Sequence, residues 1–289
     1  MCRFTAYVGP SIALERIVVL PKHSLLEQSQ NATEAKLSVN GDGFGIAWYT
    51  DQTSPGLYRD VLPAWSDGNL TSLCRMVTSR LFLAHVRAST QGETSRENCH
   101  PFTHNNWSFM HNGQIGDFNR VRRSLEATLP DQLYAAKRGN TDSELLFLLL
   151  LANGLEQDPF NAVNETIRQL TDVQQQLTTP NRISCAMSDG KSVFAFRYSS
   201  DQRSPSLYIG SDLDSGGCVL ASEPLETKHD RWKAVPDQSF VVLNEVSSKI
   251  TPLGPETNPQ RVQQHSSIAT LRSGQGYASD TLDHCPQSV

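Results

Sequence analysis

ISCAMSDGKSVFAFRY, from Ile183 to Tyr198, reads as two short strands turned back on each other. Ile183–Ser188 and Ser192–Tyr198 are rich in β-branched, aromatic and small residues, and Ser188-Asp189-Gly190-Lys191 joins them. An Asp-Gly pair between two such runs is a hairpin signal, so the pairing is antiparallel. Working outward, runs of the same texture lie at Arg3–Val8, Gly43–Tyr49, Leu81–Val86, Ser108–His111, Ser206–Ile209, Cys218–Ala221 and Phe240–Leu243. Helical patterns stand in the middle, at Asp117–Leu129, Asp142–Gly154 and Pro159–Leu177. In the third, Asp158 can cap, Pro159 suits the first position, and Phe160, Val163, Ile167, Leu170, Val173 and Leu177 recur at helical spacing. Helices grouped in this way argue against a doubly wound parallel sheet. They predict an α+β fold, antiparallel sheets covered by helices.

The chain has 289 residues, 25 Lys+Arg against 30 Asp+Glu, and a net charge of -5. With 38% hydrophobic residues and 18 glycines it has the composition of a globular protein, not of a collagen, coiled coil or disordered chain. The acidic balance and the lack of a long basic run exclude broad nucleic-acid binding. The longest apolar run, Leu145 to Ala152, is far below the roughly 18 residues that a membrane span needs. The opening Met1-Cys2-Arg3-Phe4-Thr5-Ala6-Tyr7 meets Gly9-Pro10 at once and has no secretory pattern, so a cytoplasmic location is expected. Cys2, Cys74, Cys99, Cys185, Cys218 and Cys285 are scattered without a C-x-x-C pair, as reduced thiols would be. From about Gly254 the texture turns polar, with Pro255, Pro259 and Pro286 among Gln, Ser and Thr. Residues 1–254 are read as the folded domain and 255–289 as a polar C-terminal tail or extension.

Cys2 follows the initiator Met1, which is normally trimmed before a small residue. One residue would then carry a thiol and a free α-amine. Their ordinary pKa values are about 8.5 and about 7.7–8.0, so the amine can serve as base for its own thiol near neutral pH.

Four further segments bear on that thiol. In Leu83-Ala84-His85-Val86-Arg87-Ala88-Ser89-Thr90, alternation puts His85 and Arg87 on one face of a strand end. A guanidinium there suits a carboxylate ligand, although an arginine at a strand edge is more often simply solvated. His111-Asn112-Gly113 ends another strand and could supply an amide and an N–H to an oxyanion, although Asn-Gly is first of all a turn dipeptide. Thr141-Asp142-Ser143-Glu144 opens a helix as a capping box, and Asp142 could in addition hold an ammonium group. Asn40-Gly41-Asp42-Gly43-Phe44-Gly45 leads into a strand and lacks the spacing of a phosphate loop. Cys99, His100, His104 and His111 match no standard metal spacing, so no metal site is assigned.

In order, Met1-Cys2-Arg3, Asn40 to Gly45, His85 to Thr90, Asn98 to Phe102, Met110 to Gly113 and Thr141 to Glu144 resemble the class II glutamine amidotransferase domain of the N-terminal nucleophile hydrolases. Ala221 to Leu225 and Trp232 to Pro236 extend the likeness to about residue 245. Within that family the chain is similar to the amidotransferase-like subunit of a glutathione-degrading complex and to bacterial γ-glutamyl hydrolases. The resemblance implies a four-layer αββα sandwich of two antiparallel sheets. It implies Cys2 as nucleophile and Asn112 with Gly113 as oxyanion hole. It implies Arg87, Thr90, His111 and Asp142 as substrate-binding residues, and no cofactor. Members that make sugars and nucleotides often read Arg-Trp-Ala-Thr-His-Gly where this chain has Arg87-Ala88-Ser89-Thr90-Gln91-Gly92. Without that Trp and His, strict selection of free glutamine is not expected.

The resemblance thus implies hydrolysis of a small γ-glutamyl amide through a thioester, with release of glutamate. Two alternatives stay open. One is a glutaminase subunit that works with a separate synthase or peptidase partner. The other is a non-catalytic protein that binds γ-glutamyl compounds or a protein partner. A homo-oligomer is compatible with each.

Overall fold

Alternation of inward and outward residues along each strand sorts the apolar side chains into three layers of core, and these fix the architecture. The computed structural model describes residues 2–34, 38–89, 93–174, 178–211, 216–226 and 229–254. A compact unit runs from Met1 to Leu253. The expected extension, 255–289, lies outside the described residues.

In chain order the described elements are β1 (Arg3–Ala13), α1 (Glu15–Val18), α2 (Leu25–Asn31), β2 (Phe44–Trp48), β3 (Gly56–Asp60), α3 (Gly68–Met76), β4 (Thr78–Val86), β5 (Phe102–His104) and β6 (Trp107–Gln114). Four helices follow: α4 (Phe118–Glu126), α5 (Asp131–Ala136), α6 (Asp142–Ala152) and α7 (Pro159–Val173). The chain then returns to strands with β7 (Arg182–Ser188), β8 (Val193–Ser199), β9 (Tyr208–Gly210), β10 (Cys218–Ala221), β11 (Trp232–Ala234), β12 (Ser239–Leu243) and β13 (Ser248–Pro252).

They form a seven-stranded sheet, β11-β9-β10-β1-β4-β2-β3, and a six-stranded sheet, β13-β12-β8-β7-β6-β5. Every strand pairing among the described residues is antiparallel, and the molecule is the four-layer αββα sandwich expected. Phe4, Ala6, Val8, Leu81 and Leu83 of one sheet meet Met110, Ala186, Ala195 and Val241 of the other in the central core. On the far side of the first sheet, Tyr7, Phe44, Phe82 and Val219 pack on α1, α2 and α3 through Ile17, Leu25 and Leu70. On the far side of the second, Phe109, Ile183, Cys185 and Phe196 pack on α4, α6 and α7 through Leu125, Phe147 and Val163.

Local chemistry explains the elements that matter most. In the β7–β8 hairpin Ser188 pairs with Val193, so the loop is longer than a two-residue Asp-Gly turn. Asp189 Oδ1 accepts from Lys191 N and Ser192 N, and Gly190 takes the left-handed conformation, φ 85°. β1 runs past Gly9-Pro10 to Ala13 because a register shift between Val8 and Ile12 absorbs the proline, which has no N–H to offer. α7 starts as expected, with Asn161 N donating to Asp158 Oδ1 at 3.1 Å, and buries Val163 and Leu170; Leu177 lies outside the described residues. α6 is buried along almost its whole length, which fits its unbroken leucine run.

Candidate active site

Cys2 stands immediately before β1, the middle strand of the larger sheet. Phe4, Ala6 and Val8 face the central core, and Cys2 continues that row. Arg3 pairs with Val86, which sets Cys2 beside the end of β4. Its thiol is held there by Ala88, whose N–H donates to Sγ at 3.4 Å while Sγ donates to the Ala88 carbonyl at 3.6 Å. Burial pushes the Cys2 thiol up from its ordinary value, and the Ala88 N–H and the charges of Arg87 and Arg3 pull the other way.

Arg87 lies just past β4, on the His85 face, and is nearly fully buried. Its guanidinium donates to Ser89 Oγ at 3.1 Å and to the carbonyls of Asp42 and Glu93 at 3.4 Å. Asp42 binds the same segment again, its Oδ2 accepting from Ser89 N at 2.7 Å. The glycine-rich stretch that leads into β2 is thus part of the Arg87 mount. Gly43 sits at φ 119°, and a Cβ there would come within 2.6 Å of Cys99 Sγ and 2.8 Å of the Asp60 carbonyl. A Cβ on Gly45 would meet the His100 carbonyl at 2.2 Å. These two absent side chains let residues 98–101 lie directly on the sheet, with the His100 ring 4.1 Å from that of His85. Gly43→Ala is expected to lower stability by about 2 kcal/mol or more, through both strain and overpacking. A thermal melt checks this, with a fall in Tm of roughly 4–8 °C for a chain of this size.

The second half of the candidate site is on the smaller sheet. Met110 faces the central core, and Asn112, two residues on, shares its face. Asn112 is fully buried, and neither Nδ2 nor Oδ1 has a hydrogen-bond partner among the described residues. A buried amide left unspent is costly unless something uses it. Gly113 takes φ 145°, and a Cβ would meet the Arg182 carbonyl at 1.9 Å, so the position requires glycine.

His111 points the other way. Its ring lies on the helix side of β6, Nδ1 2.9 Å from Ser143 Oγ, and not on the Asn112 face. Burial pushes this histidine down and the Asp142 charge opposes that. The alternation of β6 thus sets it against the start of α6, beside Asp142. Asp142, the first residue of α6, accepts from Ile115 N at 2.9 Å and so ties the helix to the end of β6. The capping box is only half formed. Glu144 N donates to Thr141 Oγ1 at 3.2 Å, but the Glu144 carboxylate reaches further back, to the N–H groups of Arg138 and Gly139 at 2.7 Å each. Thr90 lies outside the described residues.

The structure therefore sets Cys2, Arg87 and Ala88 at the ends of β1 and β4 in one sheet and Asn112 and Gly113 near the end of β6 in the other, where Asp142 at the start of α6 is tied, with β1 and β4 both in contact with β6. Sequence reading missed Ala88, Asp42 and Ser143. It also missed the pairing of Arg3, fully buried behind Cys2 with Nε 3.4 Å from the equally buried Glu223.

The sequence pattern of the class II glutamine amidotransferases matches residues 24–209. The chain is 32% identical over 301 residues to the probable glutamine amidotransferase DUG3 of Saccharomyces cerevisiae, covering 88% of this chain and 84% of that one. It is 27% identical over 256 residues to the gamma-glutamyl-hercynylcysteine sulfoxide hydrolase of Mycolicibacterium smegmatis, covering 88% of this chain and 100% of that one. Among solved structures, a glutamine aminotransferase class-II domain protein from Silicibacter pomeroyi superposes with a TM-score of 0.70 at 36% identity, over 88% of this chain and 100% of that one.

Proposed function

The chain belongs to the class II glutamine amidotransferases, and from that premise we propose that it hydrolyses the γ-amide bond of a small γ-glutamyl compound with Cys2 as nucleophile. The observation that carries this reading is the Cys2 thiol held against Ala88 beside Arg87 at the head of the central strand. The unspent Asn112 amide supports it from the facing sheet.

With Met1 removed, the free α-amine of Cys2 takes the thiol proton, and the sulfur attacks the γ-carbonyl carbon. The oxyanion forms against Asn112 and the Gly113 N–H. The C–N bond breaks as the amine returns the proton to the leaving nitrogen. Water then attacks the γ-glutamyl thioester, freeing glutamate and the thiol. A thiol pushed up by burial keeps its proton until this base acts, so the amine has a task. Arg87 grips the α-carboxylate and Asp142 the α-ammonium, each a charge-assisted contact. A cytoplasmic site of action accords with the absence of a disulfide among the described cysteines. No helix among the described residues is long and apolar enough to cross a membrane.

The test is glutamate release from glutamine, glutathione and a γ-glutamyl anilide by protein whose N-terminal mass shows Cys2. Release from the peptide or the anilide at least as fast as from glutamine supports a hydrolase. Glutamine alone as substrate would point instead to a subunit that feeds ammonia to a partner, and no release from any of them would sink the enzymatic reading. In the same assay Asn112→Ala is expected to lower kcat by roughly 10²–10³ with little change in KM, since an oxyanion donor acts only in the transition state.

A further inference from the structure

Among the described residues no hydrogen bond or ion pair joins Arg87 to Asp142 directly, although a γ-glutamyl head must span both. One buried side chain connects their mounts. Asn98 is 2% exposed and uses both ends of its amide. Its Nδ2 donates to the Glu93 carbonyl and to Asn140 Oδ1, both at 2.9 Å, and its Oδ1 accepts from Asn140 N at 3.0 Å. The Glu93 carbonyl also accepts from Arg87. Asn140 lies two residues before Asp142, in a segment whose preceding N–H groups are held by Glu144 of the same helix. A Cβ on Gly139 would come within 2.3 Å of Asn98 Oδ1, so the 138–140 segment is packed closely against the amide. Below Asn98, Cys99 and His100 are set on the sheet through Gly43 and Gly45.

We propose that Asn98 is a positioning residue that fixes the separation of the carboxylate grip at Arg87 and the ammonium grip at Asp142, and thereby selects the α-amino-acid head of the substrate. This rests on the γ-glutamyl reading above. Its chemistry follows from the geometry. The strut touches neither the thiol nor the oxyanion donors, so it acts on the binding of the head and not on the acyl-transfer step. Both faces of the amide are needed. Aspartate at this position would turn a carboxylate toward the Glu93 carbonyl and Asn140 Oδ1, where the amide now donates.

The experiment compares wild type with Asn98→Ala and Asn140→Ala on three anilides: γ-glutamyl, glutaryl (no α-amine) and 4-aminobutyryl (no α-carboxylate). The expected result is a KM for the γ-glutamyl anilide raised about tenfold or more with kcat within about threefold, the pattern of lost uniform binding. The preference for the complete head over each truncated one should shrink by about the same factor. In parallel, L-glutamate binding to Cys2→Ala protein is measured by calorimetry with and without Asn98→Ala. That arm needs no turnover, so an inactive wild type would sink the γ-glutamyl reading while the binding comparison still decides the strut. A folded Asn98→Ala protein with unchanged KM, head preference and glutamate affinity overturns the proposal. If Asn98→Ala fails to fold, the less buried Asn140→Ala, which breaks the same bridge, decides by the same criteria.

Discussion

Cys2→Ala is expected to lower glutamate release by a factor on the order of 10⁶, to the background rate, because Cys74, Cys99 and Cys185 cannot take over the attack. Cys74, Cys99 and Cys185 are buried free thiols, and burial pushes each of them up, Cys74 to about 12. Cys99 faces Gly43 and donates to the carbonyls of Asp60 and Ser95 at 3.3 and 3.5 Å, away from any acyl group. The same loss is expected if Met1 is retained, since the amine that should act as base is then locked in a peptide bond. Stability should hardly change. Cys2 is half-buried and, among the described residues, its thiol hydrogen-bonds with Ala88 alone, so the melting temperature of Cys2→Ala should match wild type. The measurement is glutamate release with the N-terminal mass of each sample known. Release by Cys2→Ala within tenfold of wild type would remove Cys2 from the mechanism.

What a sequence shows depends on how far apart the deciding groups stand. Cys218–Ala221 was legible to the residue because every position in it is buried and apolar. The edge strands β3 and β13 were not. Their residues are at least partly exposed, so the alternation that marks a strand is missing from Gly56–Asp60 and Ser248–Pro252. α3 has only Leu70 and Cys74 buried, too few to draw a stripe, and its cap, Asp67 accepting from Asn69 N and Leu70 N, sits in an Asp-Gly pair that looks like a turn. α2 could have been found, for Ser24 with Glu27 three residues on is a capping signature, and Glu27 N does donate to Ser24 Oγ. In the site, Arg87 and Asn112 were legible as residue types at strand ends. Their settings were not. The thiol and its Ala88 partner are 86 residues apart, and the Asn98–Asn140 bridge spans 42.

Glu223→Gln is expected to cost about 3–5 kcal/mol, the effect of stranding one member of a buried ion pair. Arg3 and Glu223 are both fully buried, and the Arg3 Nη1 and Nη2 have no hydrogen-bond partner among the described residues, so Glu223 is the compensating charge. The carboxylate also gathers Thr33 N and Oγ1 at 2.9 and 2.7 Å, Glu34 N at 2.9 Å and His23 Nε2 at 2.8 Å, and an amide cannot accept from all of them. Arg3→Met combined with Glu223→Gln should be less destabilised than the sum of the single changes, because it removes both charges. Acid should reproduce part of the effect. Burial pushes Glu223 up, but the bonds from His23, Thr33 and Glu34 outweigh it and hold the carboxyl at about 2 against an ordinary 4.5. A depressed carboxyl stabilises the fold above its unfolded value and loses that contribution as pH falls toward the folded one. Here that is about 3 kcal/mol, present above pH 4.5 and more than half gone by pH 3. Urea midpoints at pH 7 and pH 3 read this directly. Wild type should weaken between them by about 2 kcal/mol more than Glu223→Gln does. Equal weakening of the two proteins would mean that Glu223 does not carry the charge that offsets Arg3.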